Sequence, residues 1–469
     1  MKIQSLRLEN FRKFQSQLFI FNPRFTVLIG RNATGKTQIL DALAIILGTY
    51  LTKVFKREKA IRKIANEEIR IVDHTFLDSS GATQYRREMQ YPVKLTASIL
   101  FRKERPLTQS CCLRSEKGRT TFGGNTDFLL IAKKDAENVA QGKEVTLPFL
   151  AYYGAGRLWP LKRHVETDMS VSSRLDGYRD SLDPNSDIKG LQSWIKKYEI
   201  ISLQKKTKIT ALELVRQVVI EMIPNCMRLY YDAELDYVSI IFKDGENCPF
   251  YNLSDGFRCM VSMVADMTRR IVNLNPHLGD NAIKETEGVV LIDELDLYLH
   301  PEWQRRVVDD LKRVFPKLQF IATTHSPFII QSLQSGEVID LEQCNPNVNN
   351  NESLQKNRKV VKSCANPVTK NPMAWPGPSD PYKGRSIEDI VESIMGVSVP
   401  QRSERYQKMY DTAKEYYRML HEESQINPEA KELLKRKLDE LIAPFSDDVA
   451  YHAFLEMERI AWFSKENKK

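Results

Sequence analysis

One eight-residue segment constrains this chain more than any other. Gly30-Arg-Asn-Ala-Thr-Gly35-Lys36-Thr37 matches the pattern GxxxxGK[ST]. It follows the short apolar run Phe25-Thr-Val-Leu-Ile29, which predicts a buried strand. From Thr37 to Leu51, Ile39, Leu40, Leu43, Ile46 and Leu47 recur at helical spacing. Strand, glycine loop and helix in this order form the context in which the motif holds phosphate. The glycines let the backbone curl so that N–H groups face anionic oxygens, and the helix N-terminus adds positive dipole. Lys36 would neutralise the β- and γ-phosphates, and the Thr37 hydroxyl would ligate Mg²⁺. The expected ATP contacts are Gly30, Arg31, Asn32, Ala33, Thr34, Gly35, Lys36, Thr37 and Gln38.

Two later segments fit the same chemistry. Val289-Val-Leu-Ile292 is a second apolar strand, and it ends in Asp293-Glu294. Asp293 would hold Mg²⁺, and Glu294 would polarise the attacking water as general base. Phe320-Ile-Ala-Thr-Thr-His325-Ser326 is another strand followed by polar residues, placing His325 within reach of a γ-phosphate. A fourth segment, Leu253-Ser254-Asp255-Gly256-Phe257-Arg258, precedes a helix rich in Met and Val. Read on its own, Ser254 is a helix N-cap worth about 1 kcal/mol.

The remaining sequence sets the frame. At 469 residues, with a formal net charge of +8, the chain is long enough for several domains and mildly basic. Seven cysteines show no CxxC pair, which points to reduced thiols and a cytoplasmic setting. The N-terminus lacks a signal-peptide pattern, and no run approaches ~18 uninterrupted apolar residues, so no membrane partner is expected. Residues 104–145 read as a loop-rich insertion, and 161–235 as mostly helical, with a strand over 234–242. Residues 345–380 are polar and rich in Asn, Lys and Pro. The tail over 385–466 reads as helices punctuated by Pro400, Asn427-Pro428 and Pro444-Phe-Ser446. Positions 406, 409, 410, 413, 416, 417 and 420 form one apolar and aromatic face, read as helix-on-helix core or a docking surface. Lys53 to Lys63, Lys205-Lys206-Thr-Lys208 and Lys356 to Lys362 are basic runs, read as solvated faces or polyanion contacts.

The four segments together resemble the ATP-binding-cassette ATPases, specifically the SMC/RecF/Rad50-like branch. That resemblance implies an α/β fold: an ABC/SMC-type ATPase head with a short, mostly helical inserted arm and a C-terminal helical domain. The boundaries expected are 1–158 and 246–344 for the head, 159–245 for the arm, 345–383 for a linker and 384–469 for the tail. Ser254, Asp255 and Gly256 match the signature motif, which meets the γ-phosphate of a second copy in a head-to-tail dimer. Asp296 matches the loop along the dimer seam, and His325 the switch histidine. Ile3…Leu6-Arg-Leu-Glu-Asn10-Phe11-Arg12 resembles the N-terminal strand, which implies that Arg12 sits near the nucleotide. Ala33 stands where many members have glycine, a replacement suited only to negative φ. No glutamine matches the Q-loop; Tyr152-Tyr153-Gly154-Ala155-Gly156-Arg157 occupies its place.

Asn273-Leu-Asn-Pro276, the run Gly288 to Gln304 and Thr323-Thr-His-Ser-Pro327 narrow the likeness to the AAA15 group of anti-phage ATPases. With Gly384-Arg-Ser386-Ile-Glu-Asp-Ile390 and the helical tail, the chain is most similar to the ATPase subunit of Septu and retron-associated systems. The resemblance implies a partner nuclease of HNH type, with double-stranded DNA as a further partner. This chain carries no HNH signature. Two alternatives stay open: a RecF-like DNA-binding repair ATPase, and a sensor latched by ATP with little turnover. A Toprim nuclease would need acids ending successive strands in the tail, and a chromosome organiser a long coiled coil; neither pattern is present.

Overall fold

Four apolar runs become strands buried at every position: β3 (Phe25–Ile29), β9 (Phe149–Tyr153), β13 (Gly288–Ile292) and β14 (Leu318–Thr323). Unbroken apolar strands suit a parallel sheet covered on both faces. With β15 (Val338–Asp340) they form a five-stranded sheet in the order β15-β3-β14-β13-β9, and every pairing is parallel. The computed structural model describes residues 1–55, 62–77, 83–102, 105–124, 126–157, 173–184, 188–342, 386–393 and 436. The register sets Ile292 beside both Ala322 and Tyr153. The P-loop, the acid pair, the His325 loop and the Gly154–Arg157 turn therefore leave the same edge of the sheet. That edge, at the carboxyl ends of parallel strands, is where open α/β sheets bind ligands.

A second sheet is antiparallel. β1 (Lys2–Phe11), β2 (Phe14–Ile20), β6 (Val93–Leu100), β7 (Leu107–Leu113) and β8 (Thr121–Gly124) lie in the order β2-β1-β6-β7-β8. β4 (Ile71–Leu77) and β5 (Thr83–Met89) pair as a separate ribbon. The loop expected over 104–145 is instead β7, β8 and the helix α2 (Thr126–Ala140). α1 (Lys36–Val54) touches strands of both large sheets, and fifteen of its nineteen residues are buried. This all-round burial explains why α1 is long and apolar enough to cross a membrane by length and composition. α2 docks on α1, where the buried Tyr50 hydroxyl donates to Asp135 at 2.7 Å.

Between β9 and β13 lie α3 (Ile188–Lys205), α4 (Thr210–Met222) and a small antiparallel sheet. Its strands are β10 (Cys226–Asp232), β11 (Tyr237–Phe242) and β12 (Asn247–Pro249). β10 falls inside the stretch read as helical. α5 (Asp255–Leu274) follows and packs on α4; α6 (Ala282–Glu285) leads into β13. α7 (Pro301–Gln304) and α8 (Val307–Val314) lead to β14, and α9 (Pro327–Ser332) follows it. An aromatic chain runs from Phe242 of β11 to Phe257 of α5 and on to Trp303 of α7, with centroids 5.7 and 5.1 Å apart.

Residues Met1–Arg385 form one compact unit and Ser386–Lys469 another. In the second, α10 (Ile387–Ser393) begins with the Ser386 hydroxyl accepting from the Asp389 N–H at 3.1 Å. The expected linker, the tail face at 406–420 and its proline breaks, the Lys356–Lys362 run, and Lys56, Arg57 and Lys59 lie outside the described residues. Arg62, from the first basic run, is committed to Asp41 and Glu68. Cys111, Cys112, Cys226, Cys248 and Cys259 are free thiols.

Candidate nucleotide site

The P-loop leaves β3 at Gly30 and enters α1 at Gly35, whose φ of 100° opens the helix in a left-handed turn. A Cβ at Gly35 would stand 2.7 Å from the Phe14 ring, so only glycine fits. The loop lies beneath the turn between β1 and β2. From that turn Lys13 reaches over it and donates to the Ala33 carbonyl at 2.9 Å. Partial burial lowers the Lys13 pKa. Lys36 is 8% exposed and its ammonium sits within the loop, donating to the carbonyls of Gly30 (2.7 Å) and Arg31 (3.0 Å). Burial lowers its pKa, and Asp293 and Glu294 oppose that shift. Arg31, Asn32 and Ala33 are exposed, and the Arg31 amide is tethered by Glu342 at 3.0 Å.

Ala33 departs from expectation. The sequence allows alanine here on condition of a negative φ, yet its φ is +63°. The residue adopts a conformation that costs an L-amino acid about 1–2 kcal/mol. The Lys13 bond to its carbonyl helps to hold it there.

The acid pair is positioned from two sides, the P-loop and β14. The Thr37 hydroxyl donates to Asp293 at 3.1 Å, and the Thr323 hydroxyl, from β14, donates to Asp293 at 2.7 Å. That same Thr323 oxygen accepts the Glu294 N–H at 2.7 Å. Glu294 has a φ of +49° and is half-buried. A hydroxyl beside a carboxylate is an oxygen donor set suited to Mg²⁺, which binds through one or two protein oxygens plus phosphate. Thr37 and Asp293 thus fit the metal, which would supply charge neutralisation at phosphate oxygens.

His325 follows β14. Its backbone N–H donates to Asp296 at 3.2 Å, and Asp296 also accepts the Thr324 hydroxyl. The Gln304 side chain joins these loops, accepting from Ser326 at 2.6 Å and donating to the Leu299 carbonyl at 2.8 Å. Burial, followed by the Lys36 charge, lowers the His325 pKa below its ordinary 6.5 against the opposing pull of Asp296, Glu294 and Asp293, which favours the neutral imidazole.

The structure thus brings Lys36, Thr37, Asp293, Glu294 and His325 to one edge. It does not bring the signature residues to them. Ser254 occupies the N-cap position of α5, exposed, and its side chain makes no capping bond. Asp255 pairs with Arg258. A Cβ on Gly256 would stand 2.4 Å from the Tyr298 carbonyl, so the glycine lets α5 pack directly on the loop that follows the acid pair. Among the described residues no hydrogen bond or ion pair links Ser254, Asp255 or Gly256 to the P-loop. Arg12 has a φ of +49° and pairs with Asp41 (2.9 Å) and Glu68 (3.0 Å); Asp41 lies one helical turn beyond Thr37. Tyr152, in place of a Q-loop glutamine, donates to Asp41 at 3.3 Å.

Three contacts around the site are not legible in the sequence: Lys13 over the loop, Thr323 between the acids, and Arg157, which donates to the carbonyls of Asp293 and Glu294. The signals present were the hydroxyl ending β14 and the arginine ending Gly154-Ala-Gly-Arg157.

Residues 25–331 match the family described as "AAA domain, putative AbiEii toxin, Type IV TA system". The chain is 26% identical to "Retron Vc95 probable ATPase" of Vibrio cholerae serotype O1 biovar El Tor, over 79% of this chain and 77% of that one. It is 24% identical to "Septu protein PtuA" of Bacillus thuringiensis, over 90% of each. A solved Smc head domain, bound to part of ScpA from Pyrococcus furiosus, overlaps 72% of this chain and 93% of its own, at 14% identity and a TM-score of 0.43.

Proposed function

This chain belongs to the AAA domain family of "putative AbiEii toxin, Type IV TA system" proteins, and we propose that it is the ATP-hydrolysing subunit of a bacterial anti-phage defence complex. One observation carries the ATPase reading: Thr37 and Thr323 converge on Asp293 from the P-loop and from β14, leaving Glu294 next along the chain. Gly30 to Gln38 hold the triphosphate, with Arg12 acting from beside Asp41. Asp293 and Thr37 would hold Mg²⁺, which would neutralise charge on the phosphate oxygens. Glu294 takes a proton from the attacking water, and the neutral His325 donates a hydrogen bond toward the γ-phosphate.

The exposed Ser254 at the start of α5 supports a two-copy arrangement. A helix N-terminus whose hydroxyl makes no capping bond suits an incoming phosphate, and among the described residues no hydrogen bond or ion pair links it to the P-loop. Ser254, Asp255 and Gly256 of one copy would meet ATP held by the other. The retron and Septu relatives support the defence setting. A cytoplasmic location, a separate HNH-type nuclease and double-stranded DNA as a further partner belong to the same proposal.

Glu294→Gln is expected to lower phosphate release ~10²–10⁴-fold while leaving ATP binding intact, as read by a hydrolysis assay beside a nucleotide-binding titration. Unchanged turnover would remove the base assignment. Equally slow release by wild type and variant would favour the ATP-latched sensor. Expression from the native locus with the neighbouring genes tests the partner: a stoichiometric nuclease is expected. Recovery of the chain with DNA and no nuclease would favour the RecF-like reading.

A further inference from the structure

We infer that Arg157 is a positioning residue for Glu294, holding the general base in its strained backbone conformation and fixing it to α5. The inference rests on the ATPase reading above.

Arg157 is 3% exposed. Its chain leaves β9 beside β13, where the Tyr153 carbonyl accepts the Asp293 N–H at 2.8 Å. The turn that follows, closed by the Arg157 N–H on the Gly154 carbonyl at 3.2 Å, carries the side chain beneath the acid pair. There the guanidinium donates through Nη1 to the Asp293 carbonyl at 2.7 Å and through Nη2 to the Glu294 carbonyl at 2.9 Å. Nη1 also reaches the Gly154 carbonyl at 3.2 Å, and Nε reaches Cys259 Sγ of α5 at 2.8 Å. Among the described residues it forms no ion pair. A buried cation whose partners among the described residues are carbonyls and a thiol is a poor means of gaining stability. Its placement has another consequence.

Glu294 sits in the left-handed region, which a residue with a side chain keeps only when its surroundings over-determine it. Its amide is held by Thr323. Its carbonyl is held by Arg157 and by the Leu297 N–H at 3.0 Å. The preceding carbonyl is held by Arg157 as well. One planar fork thus grips both peptide groups that flank the strained Cα. Lysine, a point charge without fixed directions, cannot reproduce that grip. The bond from Nε to Cys259 sets the plane of the fork against the helix that begins at Ser254. A shift of α5 would therefore tilt the base.

The test compares Arg157→Lys, Glu294→Gln and wild type in the full chain. Arg157→Lys should lower kcat about 100-fold, as ångström-scale misplacement does, with ATP affinity within about twofold. Hydrogen exchange at the Leu295 and Leu297 amides should rise, a readout independent of turnover. Wild-type kcat and exchange in Arg157→Lys would overturn the inference; so would equal losses of affinity and kcat, which mark a general structural role. If Arg157→Lys does not fold, Cys259→Ala is read the same way, with a smaller kcat loss in the same direction expected and none overturning the inference. Wild-type hydrolysis by Glu294→Gln would sink the base reading itself. An inactive Glu294→Gln beside an unimpaired Arg157→Lys would sink only the positioning role of the arginine.

Discussion

At the P-loop, Thr37, Lys36, Asp293 and Glu294 all find partners within the chain, and at the start of α5 the Ser254 side chain finds no hydrogen-bond partner among the described residues. The first region is built from the ends of adjacent strands, and its polar groups hold one another in place. Two of its residues, Ala33 and Glu294, sit at positive φ, which such bonding sustains. The second region is the first turn of an otherwise buried helix. Its backbone is fixed by Gly256 against the Tyr298 carbonyl, and its hydroxyl has no hydrogen-bond partner among the described residues. On the proposed reading, one half of the machinery is complete within a single copy and the other half serves a neighbour.

Mixing defective chains would break this comparison most sharply. Ser254→Arg, which fills the space before α5, and Lys36→Ala, which empties the loop, should each lose turnover by ~10² or more. Combined, the two should regain activity, because a mixed dimer contains one site with neither defect. Folded proteins that stay inactive on mixing would show that a single copy holds the whole site.

A smaller effect concerns the stem of α5. Asp266 is bonded by Arg270 at 2.7 Å, by Arg269 at 2.5 Å and by the Tyr153 hydroxyl at 2.9 Å, which ties the helix to β9. Burial would raise the Asp266 carboxyl, but the two arginines outweigh it and hold it at about 2, below the ordinary 3.8. A depressed carboxylate contributes stability above its unfolded pKa and loses it as pH falls. The contribution should therefore be complete above about pH 4 and fade toward about pH 2. Asp266→Asn leaves the buried Arg270 and the half-buried Arg269 without their carboxylate and should cost about 3–5 kcal/mol in urea denaturation at pH 7. A change below about 1 kcal/mol would mean that the anchor is dispensable.

The smallest effect belongs to the loop. Ala33→Gly should relieve the left-handed strain and lose some backbone entropy, for a net gain of about 0.5–1 kcal/mol. Denaturation of the nucleotide-free protein measures it. A loss of stability would show that the Lys13 contact had already removed the strain.

Much of the first region was legible because its chemistry is local. A glycine loop between an apolar strand and a helix, and two acids ending another such strand, can be read without knowing their neighbours. What Thr323, Arg157 and Lys13 do depends on contacts across 20 to 137 residues of chain. No spacing rule reaches that far. The strand β7 was hidden for another reason. Leu107-Thr-Gln-Ser-Cys-Cys-Leu113 does alternate in burial, but one inward position is the fully buried Gln109, so the polar composition resembled a loop. β10 was similarly masked, with Met227 exposed on a weakly alternating strand. The sign of φ at Ala33 could not be read from a residue type that ordinarily excludes it.

The aromatic chain from Phe242 through Phe257 to Trp303 also has an optical consequence. The Trp303 indole is 5% exposed, packs against the ring just after Gly256, and has its N–H buried without a hydrogen-bond partner among the described residues. Such an indole emits toward the blue, and water reaching it would move the emission to the red. The chain has four other tryptophans, at 159, 194, 375 and 462. With those four replaced by phenylalanine, the colour of the remaining fluorescence would report, in real time and without a label, whether the first turn of α5 is seated.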